Sequence, residues 1–174
     1  MKNCLIMSKI LFTIFFLGAT VWASAQPTLN PKFEQKIEGL ISHSIPTITC
    51  ERLQDKLNTP NLVLLDAREK KEYTTSHLKD AQWIGYNTFS KKQVEGVDKD
   101  AVVVVYCSVG YRSEKIAEQL KQMGYTKVYN LYGGIFEWTN RSYLLLDDKE
   151  KPTESVHAYN KDWGRWLDKG NKVY

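Results

Sequence analysis

The residue best suited to nucleophilic chemistry is Cys107, because of what lies on either side of it. Val102-Val103-Val104-Val105-Tyr106 is a β-branched and aromatic run too short for a solitary helix, and it reads as a buried strand. Cys107 follows at its carboxyl end, then a short glycine-containing loop, then a helix from Ser113 through Leu120. A thiol held between a strand end and a helix amino terminus meets backbone N–H groups and the positive end of the helix dipole. Such surroundings favour thiolate, the nucleophilic form. The competing interpretation is an inert buried cysteine, since free cysteine is among the most buried residue types. The loop favours the reactive interpretation.

Four residues separate Cys107 from Arg112 in the pattern Cys-x-x-Gly-x-Arg-Ser. A cysteine phosphatase loop carries one residue more, because it wraps a tetrahedral phosphoryl group. The shorter loop is a tighter bowl, sized for one sulfur atom on the cysteine. This pattern resembles the rhodanese family of sulfurtransferases. Upstream, Leu64-Leu65-Asp66-Ala67-Arg68-Glu69-Lys70-Lys71-Glu72-Tyr73, then Ser76-His77-Leu78 and Ala81, resembles the family's Asp-x-Arg…Glu-Tyr…Gly-His-Ile…Gly-Ala block. Downstream, Met123-Gly124-Tyr125 through Gly133-Gly134 to Trp138 resembles its Gly-Phe…Gly-Gly…Trp block. The resemblance runs from about Thr47 to Trp138. It departs from the family at Ser76, where glycine is usual, and at Lys79-Asp80, where Pro-Gly is usual.

The resemblance implies a Cys107 persulfide, formed from a sulfane donor such as thiosulfate and passed to a thiophile such as cyanide or a thiol, with a protein acceptor as an alternative. The backbone amides of Ser108, Val109, Gly110, Tyr111 and Arg112 are expected to point inward and hold the developing negative charge. By oxyanion-hole logic, one lost donor costs roughly 3–4 kcal/mol of barrier. Arg112 has two open roles, steering an anionic donor or pairing with a carboxylate from a neighbouring loop. Ser113 is expected to cap the following helix, with its hydroxyl also able to face the loop. The resemblance gives Asp66 and Arg68 structural roles. Arg68 and Glu72 are spaced to pair across one helical turn, and His77 is expected to hold a turn. Ser108 and Val109 leave the early loop without a cationic side chain, which puts thiosulfate in question as the donor.

Elsewhere the chain sets bounds on location and partners. Lys2 and Lys9, an apolar run from Ile10 to Trp22, and Ala23-Ser24-Ala25 follow the order of a secretory signal, with cleavage expected after Ala25 and a periplasmic or secreted product. The apolar run is short of the ~18–20 residues that span a bilayer, so no stable membrane association is expected after cleavage. Of the 174 residues 149 then remain, one domain's worth, and the formal charge falls from +4 to +2. A balance so near neutral, with scattered lysines, argues against nucleic-acid binding. Cys50 and Cys107 remain and are expected to be unpaired thiols. His43, His77 and His157 form no metal-ligand spacing, and no cofactor is expected.

Periodicity organises the rest. Residues 26–46 read as a lead-in with an amphipathic helix from Phe33 to His43. A short strand at Thr47 to Thr49 precedes a helix from Cys50 to Leu57, capped by Thr49. Further strands are expected at Leu62 to Leu65, Ala81 to Ile84, Val102 to Tyr106 and Val128 to Leu131. Glu69 to Tyr73 reads as a short helix, and Asn87 to Asp100 as a polar connector. Gly133-Gly134 turns the chain tightly into another helix. The pattern specifies an α/β domain over 47–140, with a five-stranded mainly parallel sheet flanked by helices. Ligands of such sheets bind at the carboxyl ends of strands, where Cys107 lies. The remaining residues, 141–174, read as an aromatic-rich extension, with an extra strand at Tyr143 to Leu146. Tyr159, Trp163, Trp166 and Leu167 form a helical stripe that either packs on the domain or docks a partner.

Three functions fit this sequence. The favoured one is a single-domain sulfurtransferase or persulfide carrier. The second is a non-catalytic rhodanese-like binding or sensing module. The third, a cysteine phosphatase or arsenate reductase, is disfavoured by the short loop and the lack of a nearby acid for the leaving group.

Overall fold

In the computed structural model, residues 27–174 are described; the expected leader and its cleavage point at Ala25 lie outside them. Five apolar strands alternate with helices: β1 (Thr47–Ile48), β2 (Leu62–Asp66), β3 (Ala81–Trp83), β4 (Val102–Tyr106) and β5 (Lys127–Leu131). All pair in parallel in the order β1-β5-β4-β2-β3. β4 is therefore central, with Val104 paired to Leu64 on one side and Tyr129 on the other. A strand covered on both faces needs apolar residues at every position, and this explains the unbroken valine run.

The helices are α1 (Pro31–Glu38), α2 (Cys50–Gln54), α3 (Lys70–Thr75), α4 (Tyr111–Gln122), α5 (Gly134–Asn140) and α6 (Lys161–Gly164). Alternate β4 side chains face opposite layers. Val104 and Tyr106 join a core with Phe33 and Ile37 of α1, Leu53 of α2 and Phe136 of α5. Val103 and Val105 join a second core with Ile116, Ala117 and Leu120 of α4. The two layers hold the carboxyl end of β4 rigidly in place.

Some boundaries differ from expectation. α1 begins at Pro31, behind an Asn30 side chain that accepts from the Lys32 and Phe33 amides, and stops at Glu38 with Gly39 as its C-cap, instead of running on to His43. α2 is capped by Thr49 as expected but ends at Gln54. α4 starts at Tyr111, two residues before Ser113, because Gly110 takes φ 119° and makes the turn into it. Side chains are disfavoured at such a dihedral, so glycine is needed there. Ser113 therefore sits inside the first turn and is not the N-cap. The departures from the family pattern also resolve. Ser76 is extended, at φ −168°, which any residue adopts. Asp80 occupies the left-handed position at φ 61°, which aspartate tolerates better than most side chains.

The extra strand expected at Tyr143 to Leu146 is absent. Only Leu146 bridges, exchanging backbone bonds with His77 at 2.8 and 2.9 Å, before Asp147 turns the chain by accepting from the Lys149 and Lys151 amides. Pairing forms later, between β6 (Ser155–His157) and β7 (Asn171–Val173), a parallel ribbon with α6 between its strands. β6 runs beside α3. The aromatic stripe also divides. Trp166 stacks on Phe33 at 5.7 Å and Leu167 is fully buried, whereas Tyr159 is exposed at a φ of 64°.

Candidate functional site

Cys107 is almost fully buried and unpaired, as is Cys50. Its Sγ receives the Gly110 amide at 3.2 Å, the contact expected of an inward-facing loop amide. The Ser113 hydroxyl lies 3.5 Å from the same sulfur and 2.7 Å from Asn130 Oδ1. Asn130 Nδ2 in turn donates to the Gly110 carbonyl at 2.9 Å. A buried amide on β5 thus pins both the glycine and the serine that touch the sulfur. Asn130 is not among the expected site residues; its signal is a polar side chain among the buried positions of the run Val128 to Leu131, where a hydrogen-bond partner is demanded.

The loop is also held from behind. The Ile135 and Phe136 amides, in the first turn of α5, donate to the Cys107 and Ser108 carbonyls at 2.9 and 3.1 Å. Gly134 allows this approach. A Cβ there would overlap the Cys107 carbonyl oxygen and crowd the Ser108 backbone, and the residue's φ is 54°. The Gly133-Gly134 pair does more than turn the chain, since it seats the cysteine loop.

Glu72 and Arg112 form an ion pair beside the loop. Arg112 Nη1 and Nη2 donate to the two Glu72 oxygens, each at 2.7 Å, and Nη2 also donates to Ser108 Oγ at 3.0 Å. Glu72 further accepts from Ser108 Oγ at 3.0 Å and from the Glu69 amide at 3.0 Å. Such a two-point fork is the strong form of an arginine–carboxylate pair. Burial alone would raise the Glu72 pKa, but the Arg112 bonds and charge, with Arg68 behind them, hold it below its ordinary value. Burial likewise opposes the Arg112 charge, and Glu72 together with the neighbouring Cys107 keeps the guanidinium protonated. Of the two roles open to Arg112, the carboxylate pair is made.

The expected Arg68–Glu72 pair is not made. Arg68 turns instead to Asp66, with Nη2–Oδ2 at 2.6 Å and Nε–Oδ1 at 3.0 Å, and to the Ser76 carbonyl at 2.6 Å. Both side chains are wholly enclosed. Arg68 follows β2 and lies before α3 begins, so helical spacing does not govern where its side chain points. His77 holds a turn: Nδ1 donates to the Tyr73 carbonyl at 3.1 Å and its ring stacks on Tyr73 at 4.1 Å.

In front of Cys107 is an open cavity of about 400 Å³. Cys107, Ser108, Val109, Tyr111 and Arg112 form its floor. Its walls include Glu69, Tyr86 and, from the C-terminal extension, Tyr159 and Trp163. Arg112 lies 5.4 Å from the centre of the Tyr159 ring, within cation–π range. Gly110 and Ser113 support the floor from beneath it. The arrangement leaves the Cys107 sulfur facing a small molecule that enters from the open side.

Comparison with known proteins agrees with this architecture. A family model described as a rhodanese-like domain matches residues 49–141. The chain is 33% identical over 91 residues to the tRNA uridine(34) hydroxylase of Enterobacter sp. strain 638, a match covering 49% of this chain and 26% of that protein. The chain therefore spans about a quarter of the length of the curated relatives it matches. Among solved structures, a Bacillus halodurans protein shares the fold at a TM-score of 0.56 and 20% identity, over 68% of this chain and 88% of that one. The thiosulfate sulfurtransferase from Pseudomonas aeruginosa does so at a TM-score of 0.57 and 22% identity, over 78% of this chain and 25% of that one.

Proposed function

This chain belongs to the rhodanese-like domain family, and on that premise we propose that it is a sulfurtransferase working through a Cys107 persulfide. The observation that carries this reading is Cys107 Sγ itself: it lies at the carboxyl end of β4, accepts the Gly110 amide at 3.2 Å, and lines an open cavity. The Cys107 thiolate attacks the outer sulfur of a sulfane donor such as thiosulfate. A sulfur–sulfur bond forms to Cys107, the donor's own bond to that sulfur breaks, and sulfite leaves with the bonding pair. A thiol or cyanide then takes the outer sulfur and returns the electron pair to Cys107. This is covalent catalysis by an activated nucleophile. The Gly110 amide, which already meets the sulfur, stabilises its negative charge at both steps.

Acceptors of this kind are small thiols, cyanide or a protein thiol, and the near-neutral charge and the leader lead us to propose no nucleic-acid partner and no stable membrane association after cleavage. The match covers only 26% of the relative whose name includes hydroxylation. The phosphatase alternative is weakened by the occupied fork of Arg112, whose donors already meet Glu72. Residues 1–25 lead us to place the protein in the periplasm or outside the cell; the mass of the exported protein tests cleavage after Ala25.

The deciding experiment is the intact mass of the protein after exposure to thiosulfate and to an organic thiosulfonate. One added sulfur on the wild type, absent from Cys107→Ser and removed by cyanide as thiocyanate, is the expected result. A folded wild type that gains no sulfur from any donor returns the chain to the binding-module reading.

A further inference from the structure

The cavity in front of Cys107 is aromatic-rich and short of unmatched positive charge. Four aromatic rings, those of Tyr86, Tyr111, Tyr159 and Trp163, line it. Its volume of about 400 Å³ falls in the range of small-molecule sites, about 300–1,000 Å³. The ionisable side chains in its lining, apart from those tyrosines, are Cys107, Glu69 and Arg112. Arg112 has its positive charge matched by Glu72 at 2.7 Å through both terminal nitrogens. A dianion entering the cavity would face the Glu69 carboxylate and the attacking thiolate with no unmatched cation among the described residues of the lining. Lys36, the cation 5.3 Å from the Trp163 ring, is not part of that lining.

Two of the four rings come from outside the family match, which ends at residue 141. Tyr159 stands between β6 and α6, and Trp163 lies on α6. They are placed by packing further along the chain, where Trp166 stacks on Phe33, Leu167 is buried, and the Asp168 amide donates to Asn140 Oδ1 at 2.7 Å. The extension is thus fixed to the domain and presents Tyr159 and Trp163 to the cavity. Flat rings around a reacting sulfur favour an apolar or aromatic body on the donor by stacking and area burial.

We propose that the preferred donor is an organic sulfane compound carrying an aromatic or apolar group, with Tyr159 and Trp163 of the C-terminal extension as specificity residues. This rests on the sulfurtransferase reading above and names its substrate class. With an organic thiosulfonate, the Cys107 thiolate takes the terminal sulfur, the bond from that sulfur to the sulfonyl group breaks, and a sulfinate leaves with the electron pair. Charge and atoms balance with no further reactant.

The test compares three donors on the full chain: benzenethiosulfonate, methanethiosulfonate and thiosulfate. The rate of persulfide formation on Cys107 is read by intact mass, and each rate is divided by that donor's rate with a free small thiol. The expected order is benzenethiosulfonate, methanethiosulfonate, thiosulfate, with the first at least about tenfold above the second, as two ring contacts supply. Tyr159→Asn and Trp163→Leu should each shrink that ratio about threefold or more. Asparagine tolerates the positive φ at 159, an exposed position, so this variant keeps the test open should Trp163→Leu fold poorly. A wild-type ratio near one, a ratio unmoved by Tyr159→Asn in a folded protein, or thiosulfate as the fastest donor overturns the proposal. If no donor loads Cys107, the sulfurtransferase reading falls, and calorimetry with benzenesulfinate and methanesulfinate judges the cavity without turnover. Tighter binding of benzenesulfinate, weakened by Tyr159→Asn, then upholds the aromatic site; equal binding or none overturns it.

Discussion

Asp66–Arg68 and Glu72–Arg112 are two ion pairs of the same chemistry near the carboxyl edge of one sheet, and their surroundings separate them. Arg68 is sealed at zero exposure, its second partner is the Ser76 carbonyl, and the Tyr106 ring lies 5.7 Å from its guanidinium carbon. Nothing can approach it, so it ties the end of β2 to the turn after α3. The Arg112 side chain keeps 16% of its surface open and lines the cavity, while Glu72 beneath it is buried. One pair is a fastener inside the fold. The other sets the charge of the cavity that Cys107 faces. Burial, more than partner type, decides which task an arginine performs.

The sharpest way to break this contrast is to remove each arginine in turn. Arg68→Ala leaves Asp66 as a buried, uncompensated carboxylate, and the loss should reach about 3–5 kcal/mol in urea unfolding. A loss below about 1 kcal/mol would show that the pair is not the fastener described here. Arg112→Ala should cost less, about 1–3 kcal/mol, because Ser108 and the Glu69 amide still serve Glu72 and water enters from the cavity. Its larger effect should be on persulfide formation. Arg112→Lys, which keeps charge but not the fork, should restore stability more fully than loading rate.

Glu72→Gln sharpens the comparison from the other side. It removes the charge that matches Arg112 while preserving shape, so the cavity becomes less negative by one charge. Persulfide formation from thiosulfate should rise about threefold to tenfold relative to benzenethiosulfonate. No change in that ratio would mean that Glu72 does not set the cavity's charge.

Acid provides a reversible version of the same experiment. The folded Glu72 carboxyl titrates below its ordinary value of 4.5, whereas the unfolded one titrates near it. Its contribution to stability is present in full above about pH 4.5 and is lost as pH falls through the lowered folded value. Urea midpoints measured downward from neutral pH should show this acid loss in the wild type and a shallower one in Glu72→Gln. The smallest expected effect is at Ser113. Ser113→Ala leaves the Asn130 side chain and the sulfur each one contact short, and should slow loading only severalfold, with about 1 kcal/mol lost in stability.

Much of the domain was legible because it is written locally. The valine run before Cys107 predicts a strand buried on both faces, and β4 is that strand, at the centre of the parallel sheet. The Cys-x-x-Gly-x-Arg-Ser spacing places a glycine where φ is 119°. What failed were contacts that spacing cannot see. Helical periodicity paired Arg68 with Glu72, yet Arg68 belongs to the strand end and bonds Asp66. Serine favours the cap position, which points to Ser113, but Gly110 makes the turn and α4 begins at Tyr111, two residues before the expected boundary. Asn130 is a polar residue in a buried strand whose partners, Ser113 and the Gly110 carbonyl, lie in a loop that only the fold brings beside it. The aromatic stripe divided between core and cavity because the chain turns at Tyr159 and again after α6.

The sequence by itself therefore determined the alternation of strands and helices, the carboxyl-end position of Cys107, and the tight glycine loop behind it. Each follows from neighbouring residues whose dihedral preferences and burial pattern are set within one element. Only the tertiary structure decided that Glu72 matches Arg112 across 40 residues of chain, that Gly134 seats the cysteine loop, and that Tyr159 and Trp163 wall the cavity. Those contacts depend on how sheet edges and helix ends converge in space, and the side chains that meet there carry no shared period along the chain.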